Sequence, residues 1–96
     1  MGSVRLTPAA QQDLDSIFDY TAEHWGVAQA IRYTTDIKDA CESIANAPTQ
    51  GRDCGHIRAG YRSRAVGRHT LYFKAAPYGV AVVRILHDRM DVTRHL

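Results

Sequence analysis

The chain has 96 residues, of which 45% are hydrophobic and 23% charged, with a formal net charge of +2. This length supports one hydrophobic core, so we expect a single domain over residues 1–96, and the composition excludes disordered and collagen-like chains. No apolar run approaches the roughly 20 residues that cross a bilayer, and the N-terminus lacks a secretory signal, which predicts a cytoplasmic protein without membrane association.

The first elements in chain order are a short strand and a helix. Val4 and Leu6 alternate with polar residues, as in a strand, and Thr7-Pro8 supplies an N-cap and a first-turn proline. Apolar positions then recur at helical spacing up to Gly26, which is suited to end the helix. We expect these positions to form core: Ala10, Leu14, Ile17, Phe18, Thr21 and Trp25.

A second helix is predicted between Val27 and Pro48. Its stripe comprises Ile31, Thr34, Ile37, Cys41 and Ile44. Because the link between the two helices is so short, they must lie side by side as an antiparallel hairpin.

Three strands are predicted in the second half, after a polar loop. They are "IRAGYRSRAVG", "RHTLYFKA" and "VAVVRIL", with a turn at Pro77-Tyr78-Gly79 before the last. The last strand is apolar on both faces except at Arg84, which predicts a central position in the sheet. The order strand, two helices, three strands predicts an α+β domain of two layers, in which the chain's tail alone remains to cover the second face of the sheet.

Positive charge is concentrated in the second half of the chain. Residues 1–48 carry three basic and seven acidic side chains, whereas residues 49–96 carry nine and three. The strand pattern places Arg58, Arg62 and Arg64 on one side. This side is either a basic face that binds a nucleic acid or an acidic polypeptide, or an ordinary face exposed to solvent. Arg84 is either functional or paired internally with Asp88 or Asp91.

The tail "ILHDRMDVTRHL" collects side chains that can move protons. His87 and His95 are candidates for general acid or base by residue type, but their spacing matches no metal site, and Cys54 and His56 lack further ligands nearby. We therefore predict no metal, and we predict that Cys41 and Cys54 are free thiols. The usual hydrolase, nucleotide-binding and zinc-protease motifs are not in the sequence.

The runs "LTPAAQQDLDSIFDYTAEHWGVAQAIRY", "IRAGYRSRAVGRHTLYF" and "VRILHDRMDVTRHL" resemble the ParE toxins of bacterial type II toxin–antitoxin modules, within the ParE/RelE superfamily. The most specific part is the ending L-H-x-R-M-D-x-x-R-H-L, and the Gly67-Arg68-His69 triplet supports it. The resemblance implies a β-α-α-β-β-β fold, in which a helical hairpin packs on one face of a small, mostly antiparallel sheet.

The resemblance also implies a function. ParE-like toxins inhibit DNA gyrase by binding, without a cofactor, and a ParD-type antitoxin neutralises them in a hetero-oligomer. We expect no sequence-specific DNA binding without that antitoxin. Toxicity and gyrase binding are assigned by resemblance to Arg89, Met90, Asp91, Arg94 and His95. The residues expected to meet the antitoxin's acidic segment are Tyr20, Tyr33, Arg58, Arg62, Arg64 and Arg84.

Two alternatives remain open. The RelE-type relatives share the fold and cut messenger RNA on the ribosome, for which Arg62, Arg84 and His87 would form a reduced set here, although the tail has no tyrosine. A non-toxic member would only bind its antitoxin and regulate its operon.

Overall fold

A computed structural model describes residues 2–96 and contains the predicted elements in the predicted order. It adds a short strand in the predicted loop, a one-turn helix in the tail and a 3₁₀ turn at Pro48–Gln50. The helices and strands are β1 (Ser3–Leu6), α1 (Pro8–Trp25), α2 (Val27–Asn46), β2 (Arg52–Asp53), β3 (Tyr61–Val66), β4 (His69–Ala76), β5 (Gly79–His87) and α3 (Val92–His95).

The strands form one five-stranded sheet in the order β1-β5-β4-β3-β2. β1 runs parallel to β5, and the other pairs are antiparallel. The interior position of β5 confirms the prediction made from its apolar sequence. The mostly antiparallel sheet with a helical hairpin confirms the predicted α+β fold.

The helical hairpin is set by its caps. The Thr7 hydroxyl accepts the Ala10 N–H at 3.1 Å, and Pro8 occupies the first turn, as predicted. Gly26 adopts a φ of +93°, which a side chain would disfavour, and it joins the two helices as the single residue between them. With so short a link, α2 has to fold back along α1.

The core lies between the hairpin and one face of the sheet. Leu71 and Phe73 of β4 are essentially buried and pack with the helical stripes. Two stripe residues depart from the prediction, because Trp25 is 73% exposed and Ile31 is 54% exposed. Both flank the tip of the hairpin at Gly26, where neither helix continues. The prediction of a core position for them is therefore wrong, and Phe18 is only half-buried.

The predicted placement of arginines on one side of β3 holds for Arg62 and Arg64 but not for Arg58. Arg62 lies opposite Phe73 and Arg64 lies opposite Leu71, so both arginines project to the face that carries the helices. They reach outward because β3 lies near the edge of the sheet. Arg58 precedes the strand, in a turn, since β3 begins only at Tyr61.

The second face of the sheet is covered in part by a segment that the sequence did not indicate. Cys54, which follows β2, donates its thiol to the Ser63 hydroxyl at 3.2 Å, and both residues are buried. The tail contacts β5, where Arg84 Nη1 lies 3.4 Å from the carbonyl oxygen of His95 in α3. The prediction that the tail alone covers this face is therefore wrong, because the segment around Cys54 also packs on it.

Candidate functional site

An open groove of about 720 Å³ separates the helical hairpin from the far ends of β3, β4 and β5. The helices contribute one wall, and the β3–β4 turn with the end of β5 contributes the other. The lining residues are Ser16, Ile17, Tyr20, Thr21, Trp25, Gln29, Arg32, Tyr33, Gly67, Arg68, His69, His87 and Arg89. This groove is the candidate functional site.

Tyr33, His69 and His87 form the polar centre of the groove. The Tyr33 hydroxyl lies 2.6 Å from His69 Nδ1 and 3.2 Å from the Val66 carbonyl oxygen. The rings of His69 and His87 meet edge to face with centroids 5.1 Å apart. Because these two residues are paired across β4 and β5, strand register alone brings the imidazoles together.

Two backbone hydrogen bonds fix the turns on either side of this centre. The Arg68 N–H donates to the Tyr33 hydroxyl at 3.1 Å, and the Asp88 N–H donates to the Arg68 carbonyl at 2.9 Å. The Arg89 N–H donates to His87 Nδ1 at 3.1 Å. The backbones of Arg68 and Arg89 are thus held in place, and both residues line the groove.

Burial shifts the pKa values of Tyr33 and His69 in the polar centre. Desolvation raises the pKa of Tyr33, against the lowering effect of the Arg68 N–H. Desolvation, followed by repulsion from His87, lowers the pKa of His69. Both shifts favour the neutral forms, so the hydroxyl and imidazole act here as hydrogen-bonding groups.

The other wall is aromatic and exposed. Tyr20 is 61% exposed and stacks on His24 with ring centroids 4.0 Å apart, and Trp25 lies one turn further along α1. Tyr20 thus has the exposure that its expected contact with an antitoxin requires. Tyr33 does not, because it is half-buried and its hydroxyl is bonded.

Arg84 pairs internally, with a partner other than the predicted Asp88 or Asp91. Its Nε and Nη2 donate to the two Asp13 carboxylate oxygens at 2.7 and 2.8 Å. Asp13 Oδ2 also accepts the Ile85 N–H at 3.0 Å, just beyond the point where β1 stops pairing with β5. The hydrogen bond from Arg84 to Asp13 raises the pKa of the guanidinium.

The residues of the alternative nuclease set are not brought together. Arg62 donates to the Gly51 carbonyl at 2.9 Å near the β2 edge, and Arg84 is bound to Asp13. Of the three, His87 alone lines the groove. Its ring contacts that of His69, which sequence reasoning placed only within the family-like triplet and assigned no role.

The residues expected to meet an antitoxin do not form one continuous surface. Tyr20 and Tyr33 line the groove, whereas Arg64 bonds the Ser43 hydroxyl of α2 at 2.8 Å. Arg58 lies in a turn beside Tyr61, with its guanidinium carbon 5.9 Å from the ring centroid. Arg62 and Arg84 are engaged as described above.

The tail residues expected to act in toxicity are mostly accessible. The Arg94 side chain is 82% exposed, and Met90 is 41% exposed. Asp91 begins α3 by accepting the Thr93 N–H and hydroxyl, and these bonds lower its pKa. His95 is half-buried next to Arg84, while Arg89 alone of the set lines the groove.

Within the described residues 2–96, no three His, Cys, Asp or Glu side chains come close enough to hold a metal ion. The thiols of Cys41 and Cys54 are free and buried, and burial raises the pKa of Cys41 to about 11. None of the helices in this part of the chain is both long and apolar enough to span a membrane.

The sequence is similar to known proteins over nearly its whole length. A family model for the ParE toxin of the type II toxin–antitoxin system parDE matches residues 4–92. Toxin ParE1 of Mycobacterium tuberculosis is 46% identical over 92 residues, which cover 95% of this chain and 94% of the relative. Toxin ParE1 of Caulobacter vibrioides is 36% identical over 96 residues, covering 100% and 99% of the two chains.

The fold also has a solved counterpart. A structure of the chromosomal ParDE TA system from P. aeruginosa matches with a TM-score of 0.79 and 22% sequence identity, covering 91% of this chain and 96% of that chain. At this level of identity the likeness concerns the fold, and it agrees with the hairpin-on-sheet architecture described above.

Proposed function

Because this chain belongs to the ParE toxin family of type II toxin–antitoxin systems, we propose that it inhibits DNA gyrase by binding and is neutralised by a ParD-type antitoxin. The site of action would be the cytoplasm, where replication takes place. Inhibition by binding requires only that the toxin favour one state of gyrase, so it needs no catalytic residue in this chain.

The observation that carries the non-catalytic part of the proposal is the Arg84–Asp13 pair. A nuclease needs a free cation or base beside the reacting phosphate. Here Arg84 is occupied by a carboxylate at 2.7 Å, and Arg62 is bonded to a carbonyl elsewhere on the sheet. The residues that would cut RNA are therefore dispersed or neutralised.

The tail supplies the surface proposed to meet gyrase. Arg89, Met90 and Arg94 are exposed on the turn after β5 and on α3. α3 is a single turn held by the Asp91 cap, so these side chains can contact a partner without disturbing the core.

The proposed antitoxin surface is apolar and surrounds the tip of the hairpin. Large hydrophobic side chains remain exposed there, at Tyr20, Trp25, Val27 and Ile31. Such a patch is typical of an interface. An acidic, flexible segment that folds on binding would bury it and neutralise the nearby arginines.

The decisive experiment incubates the purified protein with gyrase, plasmid DNA and ATP. We expect loss of supercoiling or linear DNA, and relief of either effect by the cognate antitoxin. Cutting of ribosome-bound message without an effect on gyrase would establish the RelE-like alternative instead. No effect in either assay, with the antitoxin still bound, would identify a regulatory member. In the same assays, the Arg89→Ala/Arg94→Ala double variant should inhibit gyrase less than the wild type but still bind the antitoxin.

A further inference from the structure

The residues that line the groove carry positive charge and no carboxylate, although the nearby Asp88 carboxylate acts to raise the pKa values of Tyr33 and His69. Arg32, Arg68 and Arg89 line it with two histidines, and none of the lining residues is Asp or Glu. Within residues 2–96, the arginines found in ion pairs are Arg84 and Arg94, so the three groove arginines have no acidic partner. The groove is therefore an attractive environment for an anion.

The walls of the groove are aromatic rather than aliphatic. Tyr20, Trp25 and Tyr33 supply its rings, and Ile17, itself 8% exposed, is the only purely aliphatic residue among those that line it. Tyr20 and Trp25 also belong to the proposed antitoxin surface, so an antitoxin would compete with any other ligand of the groove. Exposed rings next to arginines suit stacked planar groups.

We propose that this groove binds single-stranded nucleic acid independently of sequence. In this arrangement a base stacks against Trp25 and Tyr20, and the flanking phosphates are held by Arg68 and Arg89. The groove volume of about 720 Å³ lies within the range of ligand sites.

The two phosphate-binding arginines are positioned for this task by the backbone. The Asp88 N–H bonds the Arg68 carbonyl at 2.9 Å, which ties the β3–β4 turn to the turn that carries Arg89. The Asp88 side chain itself is exposed and does not line the groove. Arg68 and Arg89 thus border the same groove from turns that are held by backbone hydrogen bonds, so little backbone reorganisation is needed on binding.

This activity goes beyond gyrase inhibition and can be tested without gyrase or antitoxin. Trp25 is the only tryptophan in the chain, so intrinsic fluorescence reports on the groove directly. Single-stranded oligothymidylate of eight nucleotides is titrated into the full chain at low salt. We expect quenching of Trp25 that saturates, and an affinity that falls as salt is raised, because phosphate contacts release counterions.

Matched variants locate the binding. Arg68→Gln and Arg89→Gln should each weaken binding about tenfold and flatten its salt dependence, and Tyr20→Leu should weaken it to a similar degree through lost stacking. Arg52→Gln and Tyr78→Leu remove an arginine and a tyrosine that lie outside the groove, and they should leave binding unchanged. Circular dichroism confirms that each variant is folded.

Three results would overturn the proposal. These are unchanged fluorescence at the highest oligonucleotide concentration, equal weakening by the groove and control variants, and equal quenching by an oligoglutamate of the same charge. The last result would identify a site for acidic peptides. Loss of gyrase inhibition in the plasmid assay, with oligonucleotide binding intact, would disprove only the proposed function.

Discussion

The carboxylate of Asp13 accepts a β5 backbone hydrogen bond at Ile85, where β1 no longer pairs with β5. β1 stops pairing with β5 at Val82, and beyond that point Asp13 accepts both the Ile85 N–H at 3.0 Å and the Arg84 guanidinium at 2.7 and 2.8 Å. Both charged side chains are largely shielded, with 15% of Asp13 and 21% of Arg84 exposed. One helical residue therefore satisfies an edge amide and neutralises an arginine in an apolar strand.

Replacing Asp13 should destabilise the fold. Asp13→Ala leaves the Ile85 N–H and the Arg84 charge without a partner, for which we expect a loss of about 2–3 kcal/mol in the free energy of unfolding. Asp13→Asn keeps an acceptor and should lose less. Urea denaturation measures both. The control is Asp15→Asn, on the exposed side of the same helix, and equal losses in the control and in Asp13→Ala would remove the role given to Asp13.

The Tyr33 hydroxyl should stabilise the β3–β4 turn. It contacts His69, the Val66 carbonyl and the Arg68 N–H from a helix that is distant in sequence. Tyr33→Phe should lower the free energy of unfolding by about 1–2 kcal/mol. Tyr20→Phe removes an exposed hydroxyl and should have almost no effect, so a similar loss in both variants would contradict this account.

His69 should make stability depend on pH. Its pKa is lowered in the folded state from 6.5, mainly by burial, so the unfolded chain takes up the proton first as the pH falls. The stabilising contribution is complete above pH 6.5 and is lost as the pH falls through the lower, folded value. Urea denaturation at pH 7.5 and 5 should show this loss in the wild type and a smaller one in His69→Asn. Equal losses would assign the pH dependence to other groups.

The tail arginines should affect toxicity without affecting the fold. Arg94 is 82% exposed and its pair with Asp91 is 3.8 Å long, so its removal should change stability by less than about 0.5 kcal/mol. We expect Arg89→Ala/Arg94→Ala to reduce growth inhibition on expression in bacteria while antitoxin binding persists. Arg64→Ala removes an exposed arginine from another face and serves as the control. Full toxicity in the double variant would exclude the tail from the mechanism.

Trp25 should fluoresce as an indole in contact with water. It is 73% exposed, whereas the helical periodicity predicted a core position. The emission maximum should therefore shift little on unfolding in urea, and acrylamide should quench the native protein nearly as well as the unfolded chain. A marked red shift on unfolding would show that Trp25 is buried.

Periodicity predicted most of the fold because the main elements are determined locally. Thr7, Pro8 and Gly26 set the limits of α1, and the alternation at Leu71 and Phe73 identified β4 and its buried face. The same reasoning failed at the tip of the hairpin. A helical stripe shows which face is apolar, but not how far along the helix the sheet continues to cover it.

The candidate site was less predictable. The tail was recognised by resemblance, and His87 was identified as a titratable residue. The predicted partners of Arg84, Asp88 and Asp91, were wrong. The actual partner, Asp13, lies off the apolar stripe of α1 and contacts β5 only because α1 packs on the sheet. Tyr20 was expected to meet a partner, but the exposure of Trp25 beside it and the role of His69 were missed. No spacing along the chain links Tyr33 to a residue 36 positions later.

By itself the sequence determined the order of the elements, the central place of β5 and the family, since caps, periodicity and a contiguous C-terminal motif are all local features. Only the tertiary structure decided which arginines lack an acidic partner. Arg84 is paired with Asp13, whereas Arg68 and Arg89 line an open groove. Whether a charge is neutralised or available depends on which side chain meets it in space, and that follows from packing and register.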